Sequence, residues 1–285
     1  MKFLYIADTH IGGSDIKGYR QQERYLKHFN ELLELLSKWI EEQGDVDFVI
    51  HGGDMVEQGS LKNIKLAGKL FKKLPCPVYC TLGNHDLTED DSVKNWLSEA
   101  PEFFAGNSID FSFCRDNIKF DFVSCHWGDK AYFWNPDEAQ IPYFMEDQKD
   151  SLDSEGDFKY KILVTHAQVF GLPSEQTGLD KALHPPVGDF NSIVHGLATE
   201  HENLLVLGAH THMNMHLCKD GVHYVTSSAF SETPFEFKVF ELQDDNFSME
   251  TISLADKINF NTNYNFNKTY IQGRTCDRSF KETLT

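Results

Sequence analysis

Positive charge, proline and clustered cysteine are all scarce in this sequence. Lysine and arginine number 26 against 44 aspartates and glutamates, a formal net charge of −18. A surface with that average potential repels phosphate backbones unless bound cations or a local basic groove reverse it, so nucleic acid is not expected as a partner. No run approaches the roughly 18 consecutive apolar residues of a membrane span. The opening run Phe3-Leu4-Tyr5-Ile6-Ala7 meets Asp8 at once and is too short for a secretory leader. The six cysteines (76, 80, 114, 125, 218 and 276) contain no CxxC pair. A chain of this size does not depend on disulfides, so a reducing, cytoplasmic compartment is expected. Only 9 prolines and 19 glycines beside 40% hydrophobic residues exclude a disordered or collagenous chain.

What is present is an alternation of short apolar runs and amphipathic stretches. Residues 3–7 read as a buried strand that stops at Asp8-Thr9-His10. Apolar residues at helical spacing predict a helix over 19–42 with Gly44 as its stop. A strand over 46–50 ends at His51-Gly52-Gly53-Asp54, Ser60 can cap a helix running to about Leu74, and a strand over 78–82 empties into Gly83-Asn84-His85-Asp86. Beyond an irregular aromatic stretch at 126–144, a strand at 161–165 ends at His166. A helix near 190–200 and a strand at 204–207 follow, the latter ending at Gly208-Ala209-His210-Thr211-His212. Two hairpins turn near 220–221 and 244–246. Strand–helix alternation implies parallel strands in the first half and the hairpins imply antiparallel ones at the end, which makes a mixed α/β protein.

Residues 257–285 differ from the rest. They hold five basic residues against two acidic, so they are expected to form a tail outside a 1–256 domain and to dock on the acidic body or bridge an oligomer. Asn259, Asn261, Asn263, Asn265 and Asn267 alternate with Phe260, Thr262, Tyr264 and Phe266, the period of an edge strand.

Five of the expected strands end in loops carrying Asp8 and His10, Asp54, Asn84 and His85, His166, or His210 and His212. Ligands of open α/β sheets gather at the carboxyl ends of strands. Independent turns have no reason to choose metal-ligand side chains at every strand end, so a metal site is expected. Imidazole with carboxylate and amide oxygens suits Mn, Fe, Zn, Co or Ni better than Ca.

In order and spacing these five motifs resemble those of the calcineurin-like metallophosphoesterase superfamily: D-x-H, G-D, G-N-H-D, a single His, and G-H-x-H. One departure is the alanine inserted before the final pair, Gly208-Ala209-His210. The resemblance implies a four-layer α/β/β/α sandwich of two mixed sheets. It implies two transition-metal ions, divalent or mixed-valence, with manganese and iron among the candidates. Asp8, His10 and His212 would hold one ion, Asn84, His166 and His210 the other, and Asp54 would bridge them. It implies hydrolysis by in-line attack of a hydroxide bridging the ions, with His85 assisting departure of the leaving oxygen.

Gly53-Asp54-Met55-Val56-Glu57-Gln58-Gly59 lacks the arginine of the protein phosphatases, and Gln58 cannot give a bidentate phosphate clamp. The layout is most similar to the class III cyclic nucleotide phosphodiesterases. The expected substrate is accordingly a small phosphodiester, such as a nucleotide. Ala7-Asp8-Thr9-His10-Ile11-Gly12 is also similar to the SbcD-type nucleases, a reading the acidity opposes. A non-catalytic protein-interaction module, like the retromer subunit on this fold, is opposed by the complete ligand set. His126 is the one further histidine singled out as a candidate for the substrate cleft, and Trp127, Tyr132, Phe133 and Trp134 beside it in sequence fit either stacking on a base or a buried cluster under a long loop, the commoner fate, whereas His28, His51, His195, His201, His216 and His223 read as structural.

Overall fold

The computed structural model describes residues 1–137, 141–152, 156–185, 188–243 and 245–284. β1 (Lys2–Ile6), β2 (Phe48–His51) and β3 (Val78–Cys80) run parallel, joined by α1 (Phe29–Gln43) and α2 (Leu61–Phe71). β2 is buried throughout and β1 over its last four residues, as parallel strands covered on both faces must be. α1 turns Phe29, Leu32, Leu33, Leu36 and Ile40 inward, and Gly44 closes it in the left-handed conformation at φ 73°. Ser60 Oγ accepts from the Asn63 amide at the start of α2.

The helix expected from residue 19 begins later. A single 3-10 turn (Leu26–His28) leads into α1, and 19–25 is a loop. The local reason is that Gln21 and Gln22 donate their amides to the Glu232 carboxylate while Arg24 is drawn into the interior.

After α3 (Ser92–Glu99), the second half contributes β4 (Phe111–Arg115), β5 (Ile118–Phe122), a two-residue pair β6 (His126–Trp127) and β7 (Pro142–Tyr143), and α4 (Glu146–Leu152). There follow β8 (Tyr160–Val164), α5 (Ser174–Thr177), α6 (Phe190–Glu200), β9 (Leu205–Gly208), β10 (Met215–Lys219) and β11 (Val222–Thr226). β12 (Glu236–Gln243), β13 (Asn246–Ser253), α7 (Thr275–Arg278) and β14 (Ser279–Thr283) complete the chain. Among the described residues the strands form two six-stranded sheets, ordered β14-β13-β12-β1-β2-β3 and β10-β11-β9-β8-β5-β4. Both are mixed. Hairpin β10–β11 turns at Asp220 and Gly221, both at positive φ. Asp244, in the other expected turn, lies outside the described residues.

The sheets stack face to face through aromatic rings. Phe3 meets Phe120 edge-on at 5.6 Å, and Phe48 meets Phe113 and Phe120. The Tyr5 hydroxyl crosses the same interface to donate to the Gly208 carbonyl at 2.7 Å. α1 and α2 pack together on one outer side, while Phe190, Val194 and Ala198 of α6 join Leu163 and Val206 in the cluster on the other. The fold is thus the expected α/β/β/α sandwich. Stacking the sheets brings the carboxyl ends of β1, β2, β3, β8 and β9 to one edge.

Residues 259–267 do not form the expected strand. Residues 259–265 run irregularly and Phe266 opens a 3-10 stretch (Phe266–Gln272), because the rings pack individually: Phe260 stacks on His28 with centroids 3.9 Å apart and meets Phe235 edge-on, while Phe266 is left in solvent. The strand of this region is β14, which pairs with β13.

Candidate metal centre

The loops that leave the five strands direct their polar side chains at two adjacent points. At the first, His10 Nε2 and His212 Nε2 approach to 3.1 Å, with Asp8 Oδ1 3.5 Å from His212 Nε2. At the second, Asp54 Oδ2 lies 3.3 Å from His166 Nε2, and Asn84 Oδ1 3.1 Å from His210 Nδ1. Asp54 Oδ2 is also 3.9 Å from His10 Nε2, so this oxygen faces both groups. The other oxygen, Oδ1, accepts the backbone amide of His85 at 2.9 Å. All seven residues anticipated as ligands therefore converge, and the Asp8–His10–His212 and Asp54–His166–His210 sets each have geometry that could hold an ion.

Local backbone conformation marks the same residues. Asp8, His10, Asp54, His210 and His212 all have φ between 48° and 68°. Non-glycine residues seldom adopt this left-handed region, at a cost of about 1–3 kcal/mol each, and when they do they cluster at functional sites. Glycines permit the close approach: a Cβ on Gly53 would sit 2.6 Å from His166 Nδ1, and one on Gly83 2.3 Å from Asp54 Oδ1.

The electrostatics suit a cation. Asp8 is 0% exposed, yet neither carboxylate oxygen accepts a hydrogen bond. A buried carboxylate without a partner is costly unless a cation sits beside it. Burial lifts the Asp8 carboxyl to about 6 and, together with the nearby His166, lowers His210 to about 3. Burial also pushes His10 well below its ordinary value. Imidazoles kept neutral are the form that ligates metal. His166 and His212 go the other way, because despite burial the carboxylates of Asp54 and Asp8 raise His166 to about 9 and those of Glu232 and Asp8 raise His212, so an ion would have to displace their protons. His10, Glu57 and His85 make a third grouping of ligand atoms, but Glu57 Oε2 already lies 3.0 Å from an Arg24 guanidinium nitrogen, which supplies the positive charge there.

His85 stands beside the first group, its ring 4.8 Å from that of His10, with Nδ1 bonded to the Glu57 carbonyl at 2.9 Å. It borders a cleft of about 400 Å³ whose further walls include Tyr19, Trp127, Trp134, Pro142 and His184. Trp127 stacks on His210 and Trp134 tilts against His85, each with centroids 4.8 Å apart. His126 does not line this cleft. It is buried, with Nδ1 accepting from the Tyr132 amide and Nε2 paired with the Gln148 side chain. Tyr132 bonds Asp110 instead. His51 ends β2 between Thr9 and the Gly53 amide, as a structural residue would.

Sequence reasoning missed the residues behind the site. Asp86, the last letter of Gly83-Asn84-His85-Asp86, accepts amides from Met55, Val56 and Gly83 at 3.3, 2.9 and 2.9 Å, stitching the β2 loop to the β3 loop. Glu232 Oε1 pairs with His212 Nδ1 at 2.7 Å. Arg24, its side chain fully buried, lies between Glu57 and Glu232. A carboxylate three residues past Asp54 was visible in the sequence, but nothing in it links Glu232 to His212.

A family model described as "Calcineurin-like phosphoesterase" matches residues 1–214. The chain belongs to this family. Over 105 residues it is 34% identical to a DNA double-strand break repair protein Mre11 of Archaeoglobus fulgidus, a match covering 35% of this chain and 23% of that protein. The purple acid phosphatase PPD1 of yellow lupin superposes with a TM-score of 0.61 at 12% identity, over 99% of this chain and 53% of that one. A 5'-nucleotidase described as putative from Staphylococcus aureus superposes with a TM-score of 0.56 at 14% identity, over 92% and 56%. The chain thus spans less than two thirds of each of these relatives, and the two structural likenesses speak to the fold. What the match and the geometry share is the region: the five ligand-bearing loops, from Asp8 to His212, lie within the matched residues. Among the described residues no helix is long and apolar enough to cross a membrane.

Proposed function

We propose that this calcineurin-like phosphoesterase is a dinuclear metal-dependent phosphodiesterase acting on small phosphodiesters such as nucleotides. The observation that carries the reading is the convergence of seven anticipated ligands on two adjacent points, at one of which the buried Asp8 carboxylate accepts no hydrogen bond. Asp8, His10 and His212 would hold one ion and Asn84, His166 and His210 the other, with Asp54 Oδ2 shared. Two bound divalent cations supply neutralisation of phosphoryl charge and acidification of a nucleophilic water.

The chain's own residues do the rest. The His85 Nδ1–H donates to the Glu57 carbonyl, which leaves Nε2 to carry a proton to the departing oxygen. The His85 amide holds Asp54 Oδ1, so the carboxylate is fixed in rotation. Trp127 and Trp134 pack over His210 and His85 and exclude water from their outer faces.

Diester preference is supported by the cleft lining, which contains no lysine or arginine among the described residues. A monoester brings a second negative charge that a cleft in a chain of net charge −18 has no side-chain cation to meet. The test is hydrolysis of bis-p-nitrophenyl phosphate beside p-nitrophenyl phosphate by metal-stripped protein reloaded with Mn, Fe, Zn, Ni or Co. Metal-dependent turnover with diester preference is the expected result, and monoester preference would overturn the finer assignment. A nuclease is the second reading, favoured by the 34% identity with the archaeal Mre11. Cleavage of single-stranded or duplex DNA at a rate above that of the small diester would favour it.

A further inference from the structure

The two ion positions differ in what stands behind their imidazoles. His166 Nδ1 is bonded to a neutral peptide carbonyl, that of Gly52, at 2.8 Å. His212 Nδ1 is bonded to a carboxylate, Glu232 Oε1, at 2.7 Å. Glu232 is 2% exposed, and its second oxygen accepts the amides of Gln21 and Gln22 at 2.9 and 2.8 Å. Arg24 lies 3.7 Å from the first oxygen and reaches with its other nitrogen to Glu57, which is itself 3.1 Å from His10 Nδ1. One buried guanidinium thus sits between two carboxylates, each against the Nδ1 of an imidazole, and the Nε2 atoms of those two imidazoles face each other at 3.1 Å.

Resting on the metal-centre reading above, we propose that Glu232 is a positioning residue for the ion at Asp8, His10 and His212. It lies beyond residue 214, where the family match ends. The carboxylate has only acceptors, so it requires the His212 proton on Nδ1 and leaves the Nε2 lone pair directed at His10 Nε2 and Asp8. The same oxygen fixes the ring's rotation and raises its basicity as a ligand. Because Gln21 and Gln22 belong to the loop before α1, Glu232 also ties that loop to the strand-end loop of His212.

Glu232→Gln separates these roles by hydrogen-bond logic. A glutamine has one acceptor oxygen, and the two convergent amides of Gln21 and Gln22 claim it. Its NH₂ then faces His212 Nδ1 and forces the proton onto Nε2, the atom that must ligate. Arg24 keeps Glu57 as a partner in this variant. Loss of such an outer partner typically costs about 10–100-fold in metal affinity.

The experiment titrates Mn(II) into metal-free full-length wild type and Glu232→Gln by calorimetry, with ¹⁵N–¹H correlation of the histidine side chains in the metal-free proteins. The expected result is a loss of about 10–100-fold in affinity at one site, the other being unchanged, with the His212 proton moved from Nδ1 to Nε2. Two unchanged sites, or a His212 tautomer the same in both proteins, would overturn the proposal. Parallel weakening of both sites with a lowered melting temperature of the metal-free variant would also overturn it, as a merely structural role. Should Glu232→Gln not fold, Glu232→Asp keeps the buried charge but withdraws the oxygen. It should weaken the same single site and keep the tautomer, and an unweakened site would refute the role. Wild type that binds no metal would instead sink the metal-centre reading itself.

Discussion

Asp86→Ala tests whether the site depends on a buried carboxylate that touches no substrate. In the folded chain this side chain is 0% exposed and accepts three backbone amides, from Met55, Val56 and Gly83. Its main-chain carbonyl takes the Trp96 indole and is unaffected by the substitution. Truncation leaves three donors where water does not reach. At about 1–3 kcal/mol for each unsatisfied group, and allowing for partial relaxation and the weaker 3.3 Å contact, a loss of about 4 kcal/mol is expected. That is a large fraction of the 5–15 kcal/mol typical of a folded domain. With a urea slope of about 3 kcal/mol per molar, the unfolding midpoint should fall by somewhat more than 1 M. Because the freed amides belong to the loops of Asp54 and of Asn84 and His85, binding of the ion assigned to Asn84, His166 and His210 should weaken as well. A midpoint within about 0.2 M of wild type would refute the reasoning. So would a normal Mn(II) titration of a clearly destabilised protein, for the part that concerns the site.

Other consequences are as direct. Lys238 is fully buried, donating to Thr251 Oγ1 and the Asp277 carbonyl, and burial lowers it from 10.5 to about 7 against the pull of Glu236. Between those values the unfolded chain binds a proton that the folded chain has released, so this residue makes stability rise with pH, by up to about 1.4 kcal/mol per unit. Urea unfolding from pH 7 to 10 should therefore show a rising wild-type trend that Lys238→Met removes; parallel trends would contradict the burial cost. His85→Ala should leave metal content intact and lower kcat by about 10²–10⁴ for a diester with an alkyl leaving group. The loss should be much smaller for p-nitrophenol, which departs without a proton, and equal losses on both substrates would contradict the acid role.

Much of the fold was legible because its signals are local. The apolar runs ending at Asp8, Asp54, Asn84, His166 and His210 mark β1, β2 and β3 of one sheet and β8 and β9 of the other, parallel within each sheet, and their carboxyl ends meet at one edge of the sandwich. α1 was mis-started for a physical reason: Tyr19 to Glu23 carry no helical apolar stripe, and their amides serve Glu232, 210 residues away for Gln22. The alternation at 259–267 looked like a strand because period and composition matched. Phe260 finds its partners in His28 and Phe235 rather than in a neighbouring strand. The place of His126 was open in the sequence because its ring points into the Gln148 and Tyr132 network, a direction no sequence pattern encodes. Left-handed backbone at five ligand positions was not legible either: aspartate and histidine adopt it more readily than most residues, but most of those in the chain do not.

Metal content decides most. Wild type and Asp54→Asn should be stripped, reloaded with excess Mn(II), desalted and assayed for metal per chain. Two ions in wild type and fewer than one in Asp54→Asn are expected, because Asp54 Oδ2 faces both ligand groups. One ion or none in wild type, or two retained by Asp54→Asn, would contradict the dinuclear centre.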